Sequence, residues 1–320
     1  MRKIITLVII ALFITGSMVF ASDALVLPAH VGRVYVTNSY AFANGAYDQD
    51  GKYESYESGE GAFKAYNLGF ALEYGVNDWI SAAIQWAPGW NLWSDMDMPS
   101  LDANINGVYD IFVGAKIQIL GEKAPVQDSR FRFAVAPGVK IPLPATDMEE
   151  QFKNAMKGDA VTVANLDKHL FAVGGRLYFD YIINKLFFAN LYSELVYYPT
   201  EGKVSESSLS LYNPTKDKIN YGYKLTLEAE PHFETLIDQG LKMSAGLPIT
   251  YITTPDVKID GDKVKDTATA SLTLGPNASI FFLNTLLPVE LQLGYTFPVY
   301  GKNTSATQAL TLQAKVYFKL

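Results

Sequence analysis

The chain has 320 residues, with 26 basic and 33 acidic residues, 20 tyrosines, 18 phenylalanines and no cysteine. The missing cysteine excludes disulfides and a cysteine-linked lipid anchor, and the acidic balance argues against a nucleic-acid partner. Beyond residue 21 no run approaches the roughly 18 apolar residues of a membrane helix, so any mature contact with a bilayer must be made by strands.

The first stretch, MRKIITLVIIALFITGSMVFAS, joins Arg2 and Lys3 to a largely apolar run from Ile4 to Ile14, with Val19 and Ala21 placed for a signal peptidase. This predicts a cleaved secretory signal over residues 1–21 and a mature barrel over 22–320. A membrane anchor would instead need roughly 20 apolar residues and no small-residue cleavage site. Without residues 1–21 the chain keeps 24 basic and 33 acidic residues, a formal charge of −9.

From residue 31 onward the dominant signal is period two. It predicts twelve strands, near 31–43, 62–75, 79–90, 107–120, 130–141, 168–181, 185–198, 219–232, 240–252, 266–281, 287–298 and 308–320. Each can cross a tilted bilayer, which takes about 9 to 11 residues. One face of each is apolar and nearly uncharged: Tyr66, Leu68, Phe70, Leu72 and Tyr74 in the second; Tyr109, Ile111, Val113, Ala115, Ile117 and Ile119 in the fourth; Leu310, Leu312, Ala314, Val316, Phe318 and Leu320 in the last. The connections alternate between long and short, as they do between outer loops and periplasmic turns. Trp86, Trp90, Tyr197 and Tyr198 gather at the loop ends, and Trp79, Tyr181 and Phe318 at the turn ends, as two aromatic girdles would. Hydrocarbon offers no partner to an open sheet edge, so the first and last strands must pair. The expected fold is all-β: a transmembrane antiparallel up-and-down β-barrel of 12 strands.

The polar faces then line a lumen, and chain direction assigns depth. Arg33, Glu73, Arg132, Asp180, Glu230, Lys242, Glu290 and Lys319 fall toward the periplasmic end. Opposite signs on neighbouring strands suggest the pairs Arg33–Glu73, Arg132–Asp180, Glu230–Lys242 and Glu290–Lys319, a charge belt that favours one register. Lys116, Arg176, Glu194 and Lys315 lie nearer mid-depth and are the candidates for a constriction. Many inward residues are small, Gly69, Ala71, Gly114, Ala134 and Ala136 among them, and leave room for water. In the 142–167 loop, Thr146 and Glu149 stand at capping-box spacing, and Met148, Phe152 and Met156 share a helical face ahead of Gly158. They predict a short amphipathic helix that packs on the barrel mouth, either as a gate or as a rim element.

Chemistry other than transport finds little footing. His30, His169 and His232 sit near different strand ends, and no serine stands in a strand-turn-helix elbow. The loop acids Asp95, Asp97 and Asp102, or Asp256, Asp260 and Asp262, are more often solvated than calcium-binding. The sequence implies no enzyme activity, metal or cofactor.

With the signal, the alternating hairpins and the last strand in view, the chain resembles a Gram-negative outer-membrane β-barrel. Val316 to Leu320, VYFKL, resembles the signal that such barrels offer to the assembly machinery, although an aromatic last residue is commonest and Leu320 stands there. Leu68 to Pro88, LGFALEYGVNDWISAAIQWAP, is similar to one hairpin of the putative transporters of the phenol-degradation meta-pathway. That resemblance implies an outer-membrane channel or facilitated transporter for small solutes, hydrophobic or aromatic ones included. A fatty-acid-transporter plug has no evident counterpart, because only about nine residues, Ser22 to His30, precede the first strand. The alternative is a non-conducting surface protein whose long loops bind a partner. The expected surroundings are a lipid bilayer and the assembly machinery, with no nucleic acid.

Overall fold

The computed structural model describes residues 23–56, 63–98, 101–143, 162–165, 168–203 and 218–320. The expected signal over 1–21 and the loop helix carrying Met148, Phe152 and Met156 lie outside these residues, as do the side chains of Asp95, Asp97 and Asp102.

Twelve antiparallel strands close into one barrel. They are β1 (Val31–Ala43), β2 (Phe63–Asn77), β3 (Ile80–Met98), β4 (Ile111–Leu120), β5 (Phe131–Ile141), β6 (Ala172–Ile182), β7 (Phe187–Tyr197), β8 (Tyr223–Asp238), β9 (Leu241–Gly246 and Ile249–Thr254), β10 (Thr269–Leu274 and Asn277–Phe282), β11 (Val289–Lys302) and β12 (Gln308–Lys319). Neighbours in sequence are neighbours in the wall, and β12 pairs with β1 from Val31↔Lys319 to Phe42↔Gln308. That seam removes the last free edge, which lipid could not have satisfied.

β9 and β10 are each interrupted once, at Leu247–Pro248 and Gly275–Pro276, where proline supplies no N–H to the ladder. Single bonds carry the wall across: Leu247 N to Pro231 O (3.2 Å), Gly275 N to Pro248 O (2.9 Å) and Tyr295 N to Pro276 O (3.0 Å). The turn side is short and locally capped. In the 121–130 turn the Asp128 carboxylate accepts the amides of Phe131 and Arg130, both at 2.7 Å, which hold it below the usual aspartate range. On the loop side the chain has its own structure. β3 runs past the predicted limit of residue 90 and pairs with Leu101–Val108, and segments from two loops form a small sheet over a core that includes Tyr198, Ile219, Tyr221 and Val257.

The burial pattern is inverted relative to a water-soluble domain. Leu72, Ile84, Leu177, Leu191 and Leu312 are each between 46% and 51% exposed on the outside, whereas Thr37, Asn190, Thr226 and Gln313 are buried inside. An apolar belt of this extent around a closed sheet is stable against lipid tails and not against water. Phase along the strands follows the expected alternation with two corrections, of which the first is Tyr198, expected in the girdle and buried in the core under the loop sheet. The second is Tyr109, expected outside but buried and facing the lumen with Asp110. β4 begins only at Ile111, and the Tyr109 amide is drawn to the Gly89 carbonyl at 2.9 Å, so the period-two face does not extend to residue 109.

Candidate functional site: the lumen

The barrel encloses a cavity of about 620 Å³ walled by the inward faces of the strands. Across it runs a continuous chain of polar contacts. Glu194 on β7 accepts from Arg176 Nε at 2.6 Å, and Arg176 Nη1 donates to Gln85 Oε1 at 2.7 Å. Gln85 Nε2 then donates to Glu73 Oε1 at 3.2 Å, and Glu73 forms an ion pair with Arg33. Arg33 reaches the Tyr317 hydroxyl at 3.4 Å, Tyr317 donates to Glu290 at 3.0 Å, and Lys315 closes on Glu290 at 2.9 Å. Most of these steps join adjacent strands. The step from Arg176 on β6 to Gln85 on β3 does not, because β4 and β5 lie between them in the wall. It cuts a chord through the lumen, with the Arg176 guanidinium over the Phe112 ring, 3.8 Å from its centroid.

A second obstruction comes from the residues ahead of β1. Asp23 to Leu27 sit inside the barrel, and Ala24 is fully buried against Ala134, Ala136, Tyr178 and Tyr192. The Ala24 amide donates to both carboxylate oxygens of Asp180 at 3.0 Å. Lys116 Nζ donates to the carbonyls of Asp23 (2.7 Å) and Leu25 (3.1 Å) while lying 4.1 Å from the centre of the Tyr178 ring. The segment crosses the rim at Gly75, where a Cβ would collide with the Pro28 carbonyl. The few residues ahead of the first strand, too short to be the counterpart of a fatty-acid-transporter plug, nevertheless occupy part of the lumen, because the wall supplies their anchors.

The expected site residues divide as follows. Arg33 and Glu73 pair, and Arg132 lies 3.6 Å from Asp180. The other two expected pairs do not form. Lys242 pairs with Glu234 at 2.6 Å, and Glu230 instead meets His232 Nδ1 at 2.9 Å. Glu290 takes Lys315, its direct cross-strand partner, while Lys319 is level with Val31 and exposed. The reason is the stagger of a closed barrel: residues at equal distance from their strand ends are not level, and only the register decides which side chains meet. Of the four constriction candidates, Arg176 and Glu194 stand at the chord, Lys315 joins the belt of Arg33 and Glu290, and Lys116 is the tether of the inner segment. Gln85 was not foreseen. It is a neutral amide whose importance rests on a contact across two intervening strands, which leaves no trace in a strand pattern. Among the described residues no group of histidine and acidic side chains is placed to hold a metal ion, and Asp256 is engaged by Lys263 and the amides of Thr267 and Ala268.

No protein-family model matches the chain, and no curated protein sequence matches it. Among solved structures it is similar to an outer membrane channel from Pseudomonas putida F1, with a TM-score of 0.67 and 14% identity over 94% of this chain and 100% of that one. Two others align more loosely, both with a TM-score of 0.37 and 10% identity. One is a FadL homologue from Pseudomonas aeruginosa, covering 90% of each chain, and the other the CymD monoaromatic hydrocarbon channel, covering 92% of this chain and 89% of that one. The first likeness shows the fold, a closed antiparallel β-barrel.

Proposed function

We propose that the protein is an outer-membrane channel that passes small solutes, hydrophobic or aromatic ones included, through its lumen. The observation that carries this reading is the cavity of about 620 Å³ inside a closed wall, narrowed at one level by the chord from Arg176 to Gln85 and toward the periplasm by residues 23–27. Eight-stranded barrels are filled by side chains, and twelve strands leave space that this chain keeps with small inward residues. The mixed signs at the narrowing, Arg176, Arg33 and Lys315 against Glu194, Glu73 and Glu290, would discriminate weakly between small anions and cations. Export by the signal at 1–21 and assembly through β12 belong to the same reading. A role without catalysis belongs to it as well. Recording from purified protein in planar lipid bilayers tests the proposal: discrete openings are expected, and a silent protein would refute it. The loop sheet, with its own apolar core, favours one second reading, a non-conducting binding surface. Silence combined with ligand capture by the loops would establish that instead.

A further inference from the structure

Five of the described lumenal carboxylates, Glu73, Glu194, Glu290, Glu234 and Asp180, each face an arginine or lysine. Glu228 and Glu230 do not. They stand two residues apart on the inner face of β8, 4% and 2% exposed. Glu228 Oε2 accepts from the Thr250 hydroxyl at 2.5 Å, and Glu230 Oε1 meets His232 Nδ1 at 2.9 Å and Asn277 Nδ2 at 3.4 Å. The remaining oxygens, Glu228 Oε1 and Glu230 Oε2, are buried and have no partner.

Two neutral side chains repeat the pattern independently. Asn190, the direct cross-strand partner of Glu230, is 3% exposed and its Oδ1 is unpartnered. Gln292 gives its Nε2 to Asn277 at 3.2 Å and leaves Oε1 unpartnered. Glu230, Asn190 and Gln292 all line the open cavity. Four buried oxygens, two of them on carboxylates, thus look for hydrogen-bond donors, and buried acceptors are seldom left unmet in folded proteins. Gly246 leaves room for the end of the Glu230 side chain. It is the one position in β9 level with Asn277, and any Cβ there would occupy the place of Glu230 Oε1.

The occupant is defined by what it must supply. It must bring several donors, and a positive charge suits it, because among the described residues the only basic side chain beside the two carboxylates is the imidazole of His232 on Glu230. A primary ammonium offers three donors and no acceptor, and the ring of Tyr192, paired in register with Glu228, gives it an aromatic neighbour. We propose that this part of the wall binds a primary ammonium group, so that the solutes held in the lumen are small organic amines. The proposal rests on the channel reading only for the route by which the amine arrives.

The test is binding of n-butylammonium to the full chain in lipid nanodiscs, followed by saturation-transfer NMR, with 1-butanol as the uncharged match. Butylammonium should bind at least about tenfold more tightly than butanol, since a charged hydrogen bond is at stake. Glu230→Gln should abolish most of that preference, and the surface variant Glu201→Gln should leave it intact. Equal binding of amine and alcohol, or full amine binding by Glu230→Gln, would overturn the proposal and leave water as the partner of these oxygens. If Glu230→Gln fails to assemble, Gln292→Leu and the preference of the unaltered protein decide. Amine binding by a protein that never conducts would refute the channel reading and keep the site; conduction without amine preference would do the reverse.

Discussion

Replacing Lys116 by methionine should loosen the segment that narrows the lumen. The ammonium of Lys116 makes two hydrogen bonds to the segment, at 2.7 Å to Asp23 O and 3.1 Å to Leu25 O. A charged hydrogen bond contributes about 1.5–3 kcal/mol, and lumenal water would rehydrate both carbonyls, so the net loss should be about that of one such bond. At 1.4 kcal/mol per decade this shifts the balance between anchored and released segment by about 10- to 100-fold. The Asp180 anchor on the Ala24 amide remains, so the wall and its register should be unaffected. In planar bilayers Lys116→Met should open more often or to a larger conductance, and deletion of residues 23–29 should go further in the same direction. Conductance and opening frequency identical to the parent in both variants would show that the segment does not limit flow, and the argument from its anchors would fail.

Three other expectations follow from particular contacts. Gly246→Ala should cost about 1–3 kcal/mol, because its Cβ displaces Glu230 from His232 and Asn277; a melting temperature unchanged in heat-modifiability gels would contradict this. One residue inserted before Leu310 should turn Lys315 and Lys319 into lipid, at up to about 2–4 kcal/mol for a lysine near the midplane and less toward the interface, and leave the chain unable to close on β1; a variant that still folds would sink the assigned phase. The third concerns pH. In the loop before β10, the Lys263 ammonium at 2.9 Å, helped by the amides of Thr267 and Ala268, holds the Asp256 carboxyl below the ordinary 3.8. A depressed native pKa stabilises above the unfolded value and is lost as pH falls through the native one. The protection of the Thr267 and Ala268 amides, taken relative to their intrinsic exchange at each pH, should therefore fall below about pH 4, and Asp256→Asn should remove that fall; unchanged protection over this range in the parent would be incompatible with it.

The wall was legible because lipid imposes a simple rule on it. Leu310, Leu312 and Val316 must face outward if Gln313, Lys315 and Tyr317 face inward, and that alternation is written in single residues. Even the pair Arg33–Glu73 was legible, since both are inward charges near the periplasmic ends of consecutive strands and the register there makes them direct partners. The pair Glu290–Lys315 was not, because it depends on how far β12 is offset against β11, which distance from the strand ends does not show. Residues 23–27 were illegible for a different reason. Nothing in DALVL marks it as a lumenal segment; its place is fixed by Lys116, Asp180 and Gly75, which come from three different strands.

The sequence by itself determined the class of object: a chain whose twelve alternating strands can bury their amides in a bilayer only by closing. Which charges meet, where the lumen narrows, and which carboxylates are left without cations were decided only by the tertiary structure. Alternation is a property of one strand and repeats every two residues, whereas the chord from Arg176 to Gln85 and the isolation of Glu228 and Glu230 depend on how far each strand has slid past its neighbour. That displacement is a property of the closed barrel, and no single strand encodes it.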